Sequence, residues 1–193
     1  MYSKDINDLI QRVNHYQVLD EIDKRIKNNI IDFLNRYNNP LSRDNPVGHI
    51  TVSAWIINED HSKVLMINHN LFHSWGYIGG HLDDNPNIIE VIKREIKEET
   101  GLSNYKLVSD DILNMEINAV QRHIKNNKLV LSHLHFDIEY LFMANESDKI
   151  RIKEDENSGV RWININDIDK YVTEEHMLPL YQKLINKSKK YIK

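Results

Sequence analysis

The sequence predicts an α+β chain: a mixed sheet sandwiched between helices, with an N-terminal helical extension. Two observations carry the prediction. Apolar residues recur at spacings of three and four at the start of the chain and once near its middle, which marks the covered face of a helix. Between these segments lie runs in which apolar and polar residues alternate, the pattern of strands with one covered face. An order of helices, strands, a helix, strands and a last helix fits layers of this kind.

Residues 1–39 read as the extension, packed on a main domain of residues 40–193. In its first helix, which Ser3 can cap, Ile6, Leu9, Ile10 and Val13 share a face. A second helix, from about residue 19 to 37, carries Ile22, Ile26, Ile30, Phe33 and Leu34, and Asn38-Asn39-Pro40 ends it. Such stripes suit packing on the sheet or on a second copy of the chain, so a homodimer is the assembly they offer. Residues 40–48 form a turn-rich linker. Strands follow at 49–57, where Val52, Ala54 and Ile56 alternate, and at 63–68; Asn58-Glu59-Asp60-His61 between them reads as a hairpin loop.

Residues 79–102 organise the rest of the chain. Gly79-Gly80 reads as a tight turn, a short polar loop follows, and from Ile88 a helix places Ile89, Ile92 and Ile96 on one face. Asn87 and Glu90 have the spacing of a capping box, and Gly101 stands where a left-handed residue closes a helix. Glu95, Glu98 and Glu99 fall within an arc of roughly 100°. Crowded carboxylates repel, so a structural helix gains little from them. Hard cations such as Mg²⁺ or Mn²⁺ seek such oxygens and share their shell with water and substrate phosphates. A solvated acidic face is the other reading of the same residues.

The string from Gly80 to Leu102 resembles the Nudix box. Gly80, Arg94, Glu95, Ile96, Glu98, Glu99, Gly101 and Leu102 occupy the positions of that pattern without a gap, and the departure is Pro86, where the family has its first glutamate. Met66-Ile67-Asn68-His69, Trp75 and Gly79-Gly80 also resemble the family's approach to the box, with Ile78 in place of the usual proline. The resemblance implies an α/β/α sandwich and a pyrophosphohydrolase acting on a nucleoside diphosphate linked to another moiety, X. It further implies that Glu95, Glu98 and Glu99 hold Mg²⁺ or Mn²⁺, that Arg94 orients Glu95, and that the Gly79-Gly80 backbone comes close to substrate or metal. Because the first glutamate has a secondary role in the family, Pro86 bears on metal affinity or rate more than on the fold. Asp83 and Asp84 in the same loop could supply part of the missing charge.

Of the histidines flanking the glycines (His69, His73 and His81), His81 is the best candidate for the site because it directly follows them. Strands are expected at 105–108, 114–123 and 129–143, with Lys125-Asn126-Asn127-Lys128 as a hairpin turn between the last two. In the last of them His133, His135, Asp137 and Glu139 alternate with Leu134, Phe136, Ile138 and Tyr140. That polar face either meets solvent or lines a metal or phosphate pocket, since imidazole and carboxylate are natural ligands. Nudix proteins of similar length carry Gly-Gly-His with a later His-x-His-x-Asp, so the resemblance makes His133, His135 and Asp137 substrate-binding candidates beside Gly79, Gly80 and His81. Residues 145–158 form an acidic loop before Gly159-Val160-Arg161-Trp162-Ile163. In the family a glutamate from such a loop often serves as general base or extra ligand; Glu156 is the first candidate and Glu154 the second. A short turn at 166–169 and a final helix over 173–191 complete the chain, with Lys187, Lys189, Lys190 and Lys193 toward the C-terminal end of that helix.

Composition narrows the alternatives. With 193 residues, 40% hydrophobic and 28% charged, the chain suits one domain with a real core. A net charge of −4 provides no basic footprint for nucleic acid. Cysteine is absent, which removes disulfides, zinc-thiolate sites and thiol nucleophiles; it also argues against isopentenyl-diphosphate isomerase, which shares the Nudix fold but relies on a cysteine. A polar start and the lack of any long apolar run indicate a cytoplasmic protein without membrane partners. ADP-ribose enzymes of the family often have a proline some way past the box, and residues 102–149 have none, which weighs modestly against that substrate. Two rivals to the enzyme remain. One is a catalytically weak or inactive Nudix domain acting as a nucleotide-binding or regulatory module, which Pro86 alone supports. The other is a scaffold that dimerises through its first helices.

Overall fold

The protein is described here by a computed structural model covering residues 4–125 and 127–191. The expected roles of Ser3, Asn126 and Lys193 lie outside the described residues. The chain enters through helices α1 (Lys4–His15) and α2 (Glu21–Arg36). The second begins two residues later than its apolar stripe suggests, because Asp20 caps it: its carboxylate accepts the Asp23 backbone N–H at 2.8 Å. Strands β1 (Gly48–Asn58), β2 (Lys63–His69), β3 (Ser74–Gly76) and β4 (Ile78–His81) follow, then helix α3 (Ile88–Thr100). Asn87 accepts the Glu90 N–H at 3.2 Å at the start of α3, and Gly101 closes it with φ 71°. Gly79-Gly80, expected as a turn, lies instead inside strand β4.

Beyond the helix come β5 (Tyr105–Leu107), β6 (Asn114–Val120), β7 (His123–Lys125), β8 (Lys128–Val130), β9 (His133–Ala144) and β10 (Asn157–Asn164), then helices α4 (Ile168–Tyr171) and α5 (Leu178–Ser188). The expected strands at 114–123 and 129–143 are each broken. Between them β7 and β8 leave the sheet as a separate ribbon with Ile124 and Leu129 exposed, and at its base the Arg122 N–H is held by Ser132 Oγ at 3.0 Å. The final helix is shorter than 173–191. Pro179 occupies its first turn, where a missing N–H costs nothing, and residues 175–177 form a 3₁₀ turn instead.

Among the described residues the main sheet has eight strands, in the order β10-β2-β1-β9-β5, with β3 on β2, β4 on β1 and β6 on β9. The central pair, β1 with β9, is parallel from Gly48 opposite Leu134 to Asn58 opposite Ala144, and the other pairings are antiparallel. The sheet is therefore mixed. Strand β1 is buried along its whole length, as a strand covered on both faces must be. One face packs Ile50, Val52, Ala54, Ile56, Phe136 and Ile138 against apolar residues of α1, α2 and α3. On the other, Trp55, Ile57, Met66 and Leu141 meet Leu180, Tyr181 and Leu184 of α5. The result is an α/β/α sandwich.

The stripes of α1 and α2 are largely covered within the chain: Leu9, Val13, Ile30 and Leu34 are fully buried, and Phe33 stacks on Phe136 with ring centroids 4.0 Å apart. Ile22 is the exception, facing solvent. A polar network ties α2 to β6 and α5. Lys187, buried, donates to Asp23 at 2.8 Å, to Asn114 at 2.7 Å and to the Tyr16 hydroxyl, and Lys183 reaches the other Asp23 oxygen at 2.7 Å. Burial pushes the Asp23 carboxyl up, but the two lysines outweigh it and hold the group down at about 2. Burial pulls the Lys187 ammonium down against the same partner.

Candidate active site

Strand β4 separates two groups of functional side chains. Its alternation points Gly79 toward the face that carries Ser53 and points Gly80 toward α3. A Cβ on Gly79 would come to 2.8 Å from the Val52 carbonyl oxygen, and one on Gly80 would come to 2.6 Å from Glu95 Oε1. Neither glycine has a positive φ, so both are needed for close approach and not for a turn.

On the α3 side stand the carboxylates. Glu95 is paired with Arg94 at 2.8 Å. Glu99 is 3% exposed and accepts the Gly79 N–H at 3.2 Å. Glu98 is more open to solvent, and Lys153 lies between it and Glu156, at 3.6 Å and 2.9 Å. Burial pushes the Glu95 carboxyl up; Arg94 counters this, while Glu98 and Glu156 add to it. Burial pushes Glu99 well above the usual carboxylate range, reinforced by Glu95 and Glu156. Glu154, the second candidate in the acidic loop, is exposed, and its backbone carbonyl accepts Asn70 Nδ2 at 3.0 Å. Asp83, in the loop before Pro86, is close enough for its charge to act on Arg94. It is engaged by Arg43 through both oxygens, at 2.5 Å and 2.7 Å, in a left-handed conformation with φ 48°.

The donor set fits a hard divalent ion. Carboxylates from one helix face and one loop gather with more negative charge than Arg94 and Lys153 neutralise, and the Lys153 ammonium already stands between two of them as a cation would. Glu95, Glu98, Glu99 and Glu156 are the residues that could hold such an ion.

On the other side of β4 an open cavity of about 470 Å³ is lined by Gly79, Gly80, His81, His133, His135 and Asp137, all six of the expected substrate-binding residues; the box glutamates are not part of its wall. Asp137 is buried and accepts hydrogen bonds from Thr51 Oγ1 at 2.7 Å and from the Tyr77 hydroxyl at 3.0 Å. Burial pushes its carboxyl up while those hydroxyls pull the other way. The polar face of β9 is thus no solvent face, and its next member, Glu139, is buried in the interior.

Around the cavity His49, His81 and His135 each offer a ligand atom within 4.8 Å of the others. Burial lowers His49 to about 4, with His133 and Arg43 adding to it, and lowers His81 and His135 to about 2, with the neighbouring rings adding. Sequence reasoning missed His49, Thr51, Tyr77 and Lys153. The signal for the first two was present, since His49, Thr51 and Ser53 alternate with Ile50, Val52 and Ala54. Lys153 stands three residues before Glu156 in a loop read only for its acids.

Comparison with known proteins places this geometry. The family model for the NUDIX domain matches residues 47–184. Comparison with curated protein sequences gives no match. Among solved structures the chain is similar to the M. smegmatis Nudix hydrolase RenU (12% identity, 76% of this chain and 89% of that one, TM-score 0.55). It is also similar to the E. coli dihydroneopterin triphosphate pyrophosphohydrolase (12% identity, 71% and 94%, TM-score 0.54). A C. elegans Ap4A hydrolase complex matches as well (17% identity, 69% and 93%, TM-score 0.51). At these identities the structures show a shared fold. The domain match covers most of the chain and includes every residue of both groups described above: the chain belongs to the Nudix family.

Proposed function

We propose that the chain hydrolyses the diphosphate bond of a nucleoside diphosphate linked to another moiety, X, with Mg²⁺ or Mn²⁺ held by Glu95, Glu98 and Glu99. The observation that carries this reading is the gathering of these carboxylates with Glu156 against the Gly79-Gly80 backbone. A divalent ion bound there would neutralise phosphate oxygens and lower the pKa of an attacking water. Arg94 would keep Glu95 ionised and aimed. The Gly79 N–H does the same for Glu99, whose burial otherwise favours its neutral form. Glu156 is the proposed general base: it takes the proton of the water whose oxygen bonds to phosphorus as the bridging P–O bond breaks. Lys153, paired with Glu156, would have to swing aside for that step.

Residues 40–193 are proposed as the catalytic domain, with 1–39 as an extension resting on it. The cavity wall of His81, His133, His135 and Asp137 is the proposed seat of the substrate's non-reacting part, because it opens on the other side of the same glycines. One test is a hydrolysis panel run with Mg²⁺ and with Mn²⁺. It covers nucleoside triphosphates, dinucleoside polyphosphates, ADP-ribose, nucleotide sugars and NADH, with products separated by chromatography. One substrate cleaved well ahead of the rest would name X. No cleavage of any, with metal binding intact, would shift the reading to the regulatory module.

A further inference from the structure

The glutamates suit a hard cation, but they leave a cluster of three imidazoles, one of them buried, unexplained. His49 on β1 sits opposite His135 on β9 in the parallel register, and Thr51, two residues along on the same face, sits opposite His81 on β4. Three adjacent strands thus turn their histidines to one side of the sheet. Ring centroids of His49, His81 and His135 are each 4.9 Å from the other two. His49 is 3% exposed, and neither of its ring nitrogens has a hydrogen-bond partner. A buried imidazole left this way loses its hydration without compensation, and such a group calls for an unseen partner.

We propose that His49, His81 and His135 form a second metal site, for a borderline divalent ion of the Zn²⁺ class, separate from the box glutamates. One nitrogen from each lies within 4.8 Å of the others. Tetrahedral Zn–N bonds of about 2.0 Å bring ligand nitrogens to about 3.3 Å apart, a contraction that small χ rotations supply. Imidazole donors favour Zn²⁺, Ni²⁺, Co²⁺ or Cu²⁺ over Mg²⁺, whose preference is for oxygen.

His133 stands next in line. Its Nδ1 lies 2.8 Å from the Leu131 carbonyl oxygen and its Nε2 lies 3.2 Å from Nε2 of His135. If Nδ1 of His133 carries the proton and donates it to the carbonyl, its Nε2 lone pair accepts from Nε2–H of His135, which, as a metal-ligating imidazole commonly does, donates its other ring N–H and leaves its Nδ1 free to ligate. All three ligand residues line the open cavity, so a fourth coordination position is left for water or an oxygen of a bound molecule, as in metal sites with three protein ligands.

The test uses the chain freed of metal by a chelator and titrated with Zn²⁺ and, for its absorption spectrum, with Co²⁺. The expected result is one equivalent of Zn²⁺ that raises the melting temperature, and a Co²⁺ spectrum in the tetrahedral range. His81→Gln and His135→Gln should each weaken Zn²⁺ binding by at least tenfold, and Glu98→Gln should leave it unchanged. His49→Leu, which fills the same buried space without nitrogens, should abolish the Zn²⁺-induced shift in melting temperature. His81→Gln, at a partly exposed position, keeps the test decisive if the His49 variant does not fold. Absence of stoichiometric Zn²⁺ binding by the wild type would overturn the proposal. So would binding that survives His81→Gln and disappears in Glu98→Gln.

Discussion

The Glu95 side chain lies directly over Gly80: a Cβ at residue 80 would come to 2.6 Å from Glu95 Oε1. Strand β4 and helix α3 can meet at this distance only because the strand has no side chain there. The atom in the way is the end of a flexible side chain, so Gly80→Ala should displace the carboxylate and leave the fold standing. We expect a loss of at least about tenfold in kcat, equivalent to about 1.4 kcal/mol, with unfolding stability changed by no more than about 1 kcal/mol. Steady-state kinetics beside urea unfolding would check it, and full activity in the alanine variant would mean that the position of Glu95 does not matter.

Glu98→Gln and Glu95→Gln should each lower turnover by at least about tenfold, since removing a ligand takes away transition-state charge stabilisation of several kcal/mol. Circular dichroism should remain that of the wild type. Wild-type rates in both variants would show that the proposed metal site is wrong.

Lys153 stands between Glu98 and Glu156 and therefore competes with any cation for the same oxygens. Half-exposed pairs of this kind are worth up to about 1 kcal/mol. Lys153→Gln should accordingly bind Mn²⁺ about threefold more tightly, as read by calorimetric titration. Equal or weaker binding would mean that the lysine helps to shape the site.

The buried Asp23 network predicts a pH dependence. The folded carboxyl lies at about 2, below its ordinary value of 3.8, so the unfolded chain takes up the proton first. The stabilisation is complete above about pH 5 and is lost as pH falls through 4 toward 2, a change of about 2 kcal/mol. Asp23→Asn leaves Lys187 buried without its charge partner, so it should be less stable at pH 7 and should show a flatter profile between pH 4 and 2. Urea midpoints across that range decide it; parallel profiles for the two proteins would rule out Asp23 as the titrating group.

Much of the fold was legible because its signals are local. Helix α3 was readable from Asn87 to Gly101, since capping and apolar spacing act within a few turns and the structure shows both. Strands β1 and β2 were readable from alternation. The errors fell where a long-range contact overrides local preference. Gly79 and Gly80 look like a turn in isolation, but β1 pairs with them and draws them into the sheet. The 114–123 and 129–143 segments look continuous, but β7 and β8 pair with each other as a separate ribbon that leaves Ile124 and Leu129 exposed.

The sequence by itself determined the family and the grouping of Glu95, Glu98 and Glu99, because helical geometry converts spacing into a shared face with no outside help. Only the tertiary structure decided that Lys153 would sit between Glu98 and Glu156, that Lys187 would reach Asp23 from 164 residues away, and that His49 would join His81 and His135. For the histidines the reason is the pairing of β1 with β9 on one side and with β4 on the other. The β1–β9 register is set by burying Ile50, Val52, Phe136 and Ile138 together on one face, and the alternation of the strands then delivers the histidines to the other.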